Sequence, residues 1–175
     1  MLKTLRKIAS VGLVSEPAPH ADPLLRIRNA LDERIRTVLG RALCIRHVDA
    51  GSCNGCELEI HALNNPLYNL EGLGIRFVAS PRHADLLLVT GPVAANMETA
   101  LRRTYDATPD PKLVVAIGDC GCTGGIFCES GASRGRVANI IPVDVTVPGC
   151  PPSPVRILAG ILTAIENVRG AQIDG

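Results

Sequence analysis

A doubly wound α/β fold, a mostly parallel sheet with helices on both faces, is predicted for this chain by three observations. Strand-like and helix-like segments alternate from residue 41 onward. Hydrophobic residues make up 46% of the 175-residue sequence while Phe, Tyr and Trp together reach only 2%. The core must therefore be built from Leu, Ile, Val and Ala, the composition of parallel strands covered on both faces. Finally, Cys53, Cys120 and Cys150 each follow a strand candidate directly. Doubly wound folds gather their ligands there, beyond the carboxyl ends of the strands.

The elements are read in order. Residues 1–40 form an N-terminal amphipathic arm in which Pro17, Pro19 and Pro23 separate two basic stretches. In the second, Leu24, Ile27, Leu31, Ile35, Val38 and Leu39 recur at helical spacing, with Arg26, Arg28, Arg34 and Arg36 on the remaining face. Such a helix either caps the domain or docks on a partner or membrane surface. The domain proper spans residues 41–170 and leaves a tail at 171–175. Its strands are expected at Cys44–Asp49, Ile75–Ala79, Leu86–Thr90, Leu113–Ile117 and Val143–Val147, and its helices at Glu57–Asn64, Val93–Tyr105 and Val155–Val168. The last helix is best defined. Ser153 can cap it, Pro154 suits its first position, Gly170 follows it, and Leu158, Ile161, Leu162, Ile165 and Val168 form its stripe.

Composition also excludes functions. A net charge of +1 and sparse aromatics offer nucleic acid neither a phosphate-binding field nor a stacking platform. No apolar run approaches the roughly 18 residues of a spanning helix. The opening MLKTLRKIASVGLV has a basic end and an apolar stretch, but Ala, Ser and Gly dilute the latter and no twin-arginine pair precedes it. A cytosolic location is expected over export. Seven cysteines, an odd number, suit metal ligands plus spares better than a disulfide framework.

Four of the seven sit in Gly/Pro-rich breaks, as Cys53-x2-Cys56, then Cys120, then Cys150 in a Pro-Gly-Cys-Pro-Pro run. The spacing reads as a cage for one [4Fe–4S] cluster, with flexible loops bringing thiolates to inorganic sulfide. Zinc is the runner-up, kept open by Cys120-x-Cys122, although that pair is tight for a zinc knuckle. Thiol–disulfide exchange would not need the two distant cysteines. Cys44 reads as a small core hydrophobe; Cys122 and Cys128 read as spares or neighbours of the ligands, with one of them able to substitute for Cys120 as the alternative.

The segments GSCNGCELEIHALNNPLYNLEGLGIRFVASPRHADLLLVTGPV, AIGDCGCTGGIF and VPGCPPSP resemble the small subunit of energy-converting, membrane-bound [NiFe] hydrogenases of the formate-hydrogenlyase and carbon-monoxide-induced type. That family is related to the 20 kDa subunit of NADH–quinone oxidoreductase, respiratory complex I. The resemblance spans roughly residues 41–168. It implies a flavodoxin-like domain holding one [4Fe–4S] cluster through Cys53, Cys56, Cys120 and Cys150, and it selects iron–sulfur over zinc. It also implies a large nickel–iron partner, a ferredoxin-like iron–sulfur subunit, membrane-embedded ion-translocating subunits, and a peripheral place on the cytoplasmic face of the inner membrane. The chain itself is then the electron-transfer subunit of an oxidoreductase, not catalytic alone, with no role in nucleic-acid binding.

Complex I subunits usually carry adjacent cysteines at the first site, whereas Cys53-Asn-Gly-Cys56 follows the hydrogenase pattern. The end of the chain twenty-five residues after Cys150 implies a single cluster. Two alternatives stay beside this reading: a complex I-like quinone or carrier oxidoreductase subunit with the same cluster, and a zinc-stabilised α/β binding module.

Glycine-rich backbone around Gly121, Gly124 and Gly125, and the start of the final helix, are expected to donate N–H groups to the cluster and raise its potential. Glu57, beside the second ligand, is a candidate proton relay or an acidic group favourable to a first helical turn. Arg82 and His83 either adjust the potential or form a solvated loop pair, the latter preferred. His20, His47 and His61 show no ligand spacing. An apolar face exposed in the absence of the partner, and poor solubility of the isolated chain, are also expected.

Overall fold

The computed structural model describes residues 2–11 and 22–173. Five parallel strands, β1 (Leu43–Asp49), β2 (Ile75–Phe77), β3 (Leu86–Thr90), β4 (Leu113–Ile117) and β5 (Val145–Val147), form one sheet in the order β2-β1-β3-β4-β5. This is the flavodoxin-like doubly wound order, with its switch point between β1 and β3. Helices are α1 (Leu2–Val11), α2 (Pro23–Arg34), α3 (Gly55–Ala62), α4 (Glu98–Ala107), α5 (Gly118–Thr123) and α6 (Pro154–Ile173).

Strand alternation sends side chains to two cores. On one face Leu43, Ile45, Leu86, Leu88, Val115, Ile117 and Val147 pack with α2, α3 and α6. On the other, Val48, Leu87, Val89, Val114 and Ala116 pack with Leu101 of α4 and with Val137, Ile140 and Ile141. Every residue of β3 is buried, as a central parallel strand requires.

The second half of the expected arm lies on the core. Asp22 Oδ1 accepts the Leu24 N–H at 3.0 Å, Leu24, Leu31 and Ile35 are buried, and Arg34 pairs with Glu166 of α6 at 3.7 Å. After Arg34 the helix widens into a π turn, Ile35–Leu39, and stops at Gly40 with φ 63°. In α1, Leu2 and Val11 are exposed.

Several boundaries differ from the sequence expectation, and one helix is added to it. The helix expected from Val93 begins at Glu98. Residues 93–95 instead exchange backbone hydrogen bonds with 132–135, among them Arg134 N–H to Val93 O at 2.7 Å. The last helix runs through Gly170 to Ile173, because one glycine in a helix costs only about 1 kcal/mol. The helix α5 was not foreseen, since its sequence GDCGCT has no apolar period to betray it.

Candidate iron–sulfur site

Strand register decides where the cysteines go. Asp49, Thr90, Ile117 and Val147 stand in one row at the carboxyl ends of β1, β3, β4 and β5. Cys53, Cys120 and Cys150 lie three or four residues beyond that row. Cys56 enters from the first turn of α3. All four cysteines line one cleft, together with Ser52, Gly55, Gly91, Asp119, Gly149 and Pro151.

Local chemistry shapes each loop. Asp49 Oδ1 accepts the N–H groups of Gly51 and Ser52, both at 2.8 Å, and Ser52 Oγ accepts that of Asn54 at 3.2 Å. These turns deliver Cys53 to the cleft, with Asn54 at φ 71° before the start of α3. Asp119 N–H donates to Gly149 O at 2.8 Å, and Gly149 N–H donates to Asp119 Oδ1 at 2.7 Å. The third and fourth cysteine loops are thereby joined by a reciprocal pair.

Glycines press closely on the sulfurs. A Cβ on Gly118 would stand 2.6 Å from Cys56 Sγ, and one on Gly125 2.9 Å from Cys120 Sγ. The cleft is thus a cradle that side chains would fill. Its donors suit a cationic metal group. Burial pushes the Cys56 thiol up to about 12, and Glu57, Cys53, Cys120 and Cys150 push the same way. Cys120 is also raised, first by burial and then by Cys150 and Cys53. Four thiolates in this space repel one another unless bound positive charge neutralises them.

The other cysteines lie off the cleft. Cys44 is in β1, at the opposite end of the sheet. Cys122 turns inward, its thiol 3.6 Å from Ala116 O and pushed up to about 11 by burial. Cys128, at φ 45°, has its Sγ 3.4 Å from Gly125 O.

Glu57 is buried, and neither carboxylate oxygen has a hydrogen-bond partner among the described residues. His47 Nε2 stands 3.6 Å from Glu57 Oε1 and 3.0 Å from Thr90 Oγ1. Burial lowers the pKa of His47, against the opposing pull of Glu57 and Asp49. Residue spacing assigns His47 no role, although strand alternation sets it on the face of Ile45, toward α3. His61 shares a small pocket with His47 and Glu57, and His20 lies outside the described residues.

Arg82 and His83, for which a solvated loop pair is the preferred reading, lie away from the cleft. They line a groove with Leu43, Asp85 and Leu113, at the amino ends of β1, β3 and β4. The length of the sheet separates them from the four cleft cysteines, and both are exposed.

Residues 53–164 match the family described as NADH ubiquinone oxidoreductase, 20 Kd subunit. The chain is 47% identical to a probable membrane-bound hydrogenase subunit of Pyrococcus furiosus over 81% of its length and 86% of the relative. It is 46% identical to formate hydrogenlyase subunit 7 of Escherichia coli over 71% of its length, spanning about half (49%) of that protein. It is 40% identical to an NADH-quinone oxidoreductase subunit of Desulfovibrio desulfuricans over 77% of its length and 72% of the relative. Among solved structures, a chain of the membrane-bound sulfane sulfur reductase, an archaeal respiratory membrane complex, superposes with a TM-score of 0.63. Identity there is 34%, over 79% of this chain and 76% of the other. Matched across most of its length in both sequence and fold, the chain belongs to the family of the 20 kDa subunit of NADH–ubiquinone oxidoreductase.

Proposed function

We propose that this chain is the iron–sulfur electron-transfer subunit of a membrane-associated [NiFe] hydrogenase complex, holding one [4Fe–4S] cluster through Cys53, Cys56, Cys120 and Cys150. The observation that carries the proposal is the meeting of four cysteines from three loops in one glycine-lined cleft. The hydrogenase assignment is supported by the 47% identity to a membrane-bound hydrogenase subunit and by the Cys-x2-Cys spacing.

A bound cluster would supply one-electron transfer at low potential, exchanged with a nickel–iron site in the large partner. The chain's own residues hold the group and shield its inner side. Cys56 and Cys120 are half-buried, whereas Cys53 and Cys150 are exposed and face outward. The partner is expected on that side. Exposed Leu58 follows Cys56 by two residues, and Ile126 and Phe127, 90% and 51% exposed, adjoin the Gly125 that presses on Cys120. Large exposed apolar groups beside a redox site suit a subunit interface. Further partners would be a ferredoxin-like iron–sulfur subunit and membrane-embedded ion-translocating subunits. No helix among the described residues is long and apolar enough to cross a membrane, which suits peripheral attachment, proposed here on the cytoplasmic face. Glu57 is proposed as the proton-handling carboxylate at this interface.

A second reading keeps the cluster and exchanges the partner for one that reduces a quinone, sulfur or another carrier. It is favoured by the 34% identity to the sulfane sulfur reductase chain. Anaerobic purification of the complex tests both. A brown complex that bleaches on dithionite is expected, with roughly four irons more per chain than the Cys150→Ser complex holds. Hydrogen-dependent dye reduction then separates the two readings. Colourless protein with stoichiometric zinc refutes both.

A further inference from the structure

Asp119 stands out among the groups around the cleft because it belongs to one ligand loop and fixes another. Its N–H donates to Gly149 O at 2.8 Å, and its Oδ1 accepts the Gly149 N–H at 2.7 Å. Gly149 precedes Cys150, and Asp119 precedes Cys120. Asp49 differs. Its Oδ1 takes the N–H groups of Gly51 and Ser52 inside its own turn, and so shapes a single loop. Nothing in the sequence pattern required Asp119 to face Gly149, since the two are thirty residues apart in separate crossovers.

We infer that Asp119 is a positioning residue for the cluster, one carboxylate with two effects. It sets the separation of Cys120 and Cys150, and its negative charge holds the reduction potential of the group bound between them low. The inference rests on the iron–sulfur reading above. Its geometric half follows from the two hydrogen bonds, because groups that orient ligands are worth about 10–100-fold in metal affinity. Its electrostatic half follows from proximity. The carboxylate lines the same cleft as the four cysteines, one residue from Cys120. A cluster gains negative charge on reduction, so a fixed anion beside it disfavours the reduced form.

Three variants separate the halves. In Asp119→Asn the side-chain oxygen can still accept the Gly149 N–H, so the latch stays while the charge goes. In Asp119→Ala both are lost. In Asp119→Glu the charge returns on a longer arm. Each is made in the full chain, purified anaerobically with its native partners. Iron and acid-labile sulfide are counted, loss to a chelator is timed, and the midpoint potential is read by EPR-monitored titration. Asp119→Asn is expected to keep wild-type iron while its potential rises about tenfold in the equilibrium constant, about 59 mV for one electron. Asp119→Ala is expected to rise likewise and to lose iron about 10–100-fold more readily. Asp119→Glu is expected to return toward the wild-type potential. An Asp119→Asn potential equal to wild type overturns the inference while leaving the cluster assignment intact. A wild-type complex that holds no more iron than the Cys150→Ser complex overturns the assignment itself, and the inference with it.

Discussion

Gly118→Ala is the sharpest test of the cradle. Gly118 follows β4 directly at φ +81°, and a Cβ there would stand 2.6 Å from Cys56 Sγ and 3.4 Å from Gly149 O. Two costs follow. An L-residue at positive φ is strained by roughly 1–2 kcal/mol. In addition, non-bonded heavy atoms rest at about 3.5–4.0 Å, so Cys56 Sγ must retreat by about 1 Å. Ligand distances in a metal site tolerate only about 0.2 Å. The sulfur therefore cannot both clear the methyl group and keep its bond. Gly40→Ala provides the control, because Gly40 also has positive φ, +63°, but a Cβ there meets nothing within 4 Å. Both variants should lose stability by about 1–2 kcal/mol in thermal unfolding of the iron-free chain, with Gly118→Ala at the upper end. Only Gly118→Ala should lose iron, sulfide and the dithionite-sensitive absorption. Wild-type iron content in Gly118→Ala would refute the claim that this glycine makes room for a ligating sulfur.

Further outcomes are expected. Cys150→Ser should abolish the cluster while Cys44→Ser and Cys128→Ser retain it, and equal loss in Cys128→Ser by iron analysis would show the ligand set to be wrong. Leu31→Ala should destabilise the iron-free chain by about 2–5 kcal/mol in denaturant titration, since Leu31 is fully buried between α2 and the core; a loss below about 1 kcal/mol would make α2 an appendage after all. His47 has a folded pKa below its unfolded value of about 6.5, because burial disfavours the imidazolium. The unfolded chain then binds the proton more tightly, so the contribution of His47 is full above that pH and is lost as pH falls toward the folded pKa. His47→Gln should flatten this part of the stability profile, and an unchanged slope between about pH 7 and 5 would count against the burial of His47.

The sheet was legible because its central strands are long apolar runs. Leu86–Thr90 and Leu113–Ile117 are found where the pattern puts them. The edge strands shortened, since β2 and β5 pair on one side only and stop where that pairing ends. The cysteine loops were legible from their spacing. Contacts that need three dimensions were not. Neither the approach of Gly118 to Cys56 nor the Asp119–Gly149 pair has any local signature, because each joins segments about thirty or more residues apart. Arg82 and His83 illustrate the converse. A charged loop between two strands looks like a candidate site in sequence, yet a parallel crossover returns it to the amino ends of the strands, away from the chemistry.

The distribution of charge links the geometry to the proposed task. Asp49, Glu57 and Asp119 sit on loops or turns that carry the cysteines, whereas Arg41, Arg76, Arg82 and His83 gather around the groove at the other end of the sheet. Within the cleft itself Asp119 is the carboxylate that lines the wall, whereas the cations of the far groove are partly offset by Asp85 and Asp110. Such a site binds a cationic iron–sulfur core firmly and resists adding an electron to it. A carrier of this kind gives up its electron readily, which suits a partner that reduces protons better than one fed at high potential. Backbone N–H groups near the sulfurs would act in the opposite sense, so the potential reflects the balance between them and the carboxylates. Of the three carboxylates Asp119 alone joins two ligand loops, so its neutralisation should move the potential, while cluster retention should follow the loss of its hydrogen bond to Gly149.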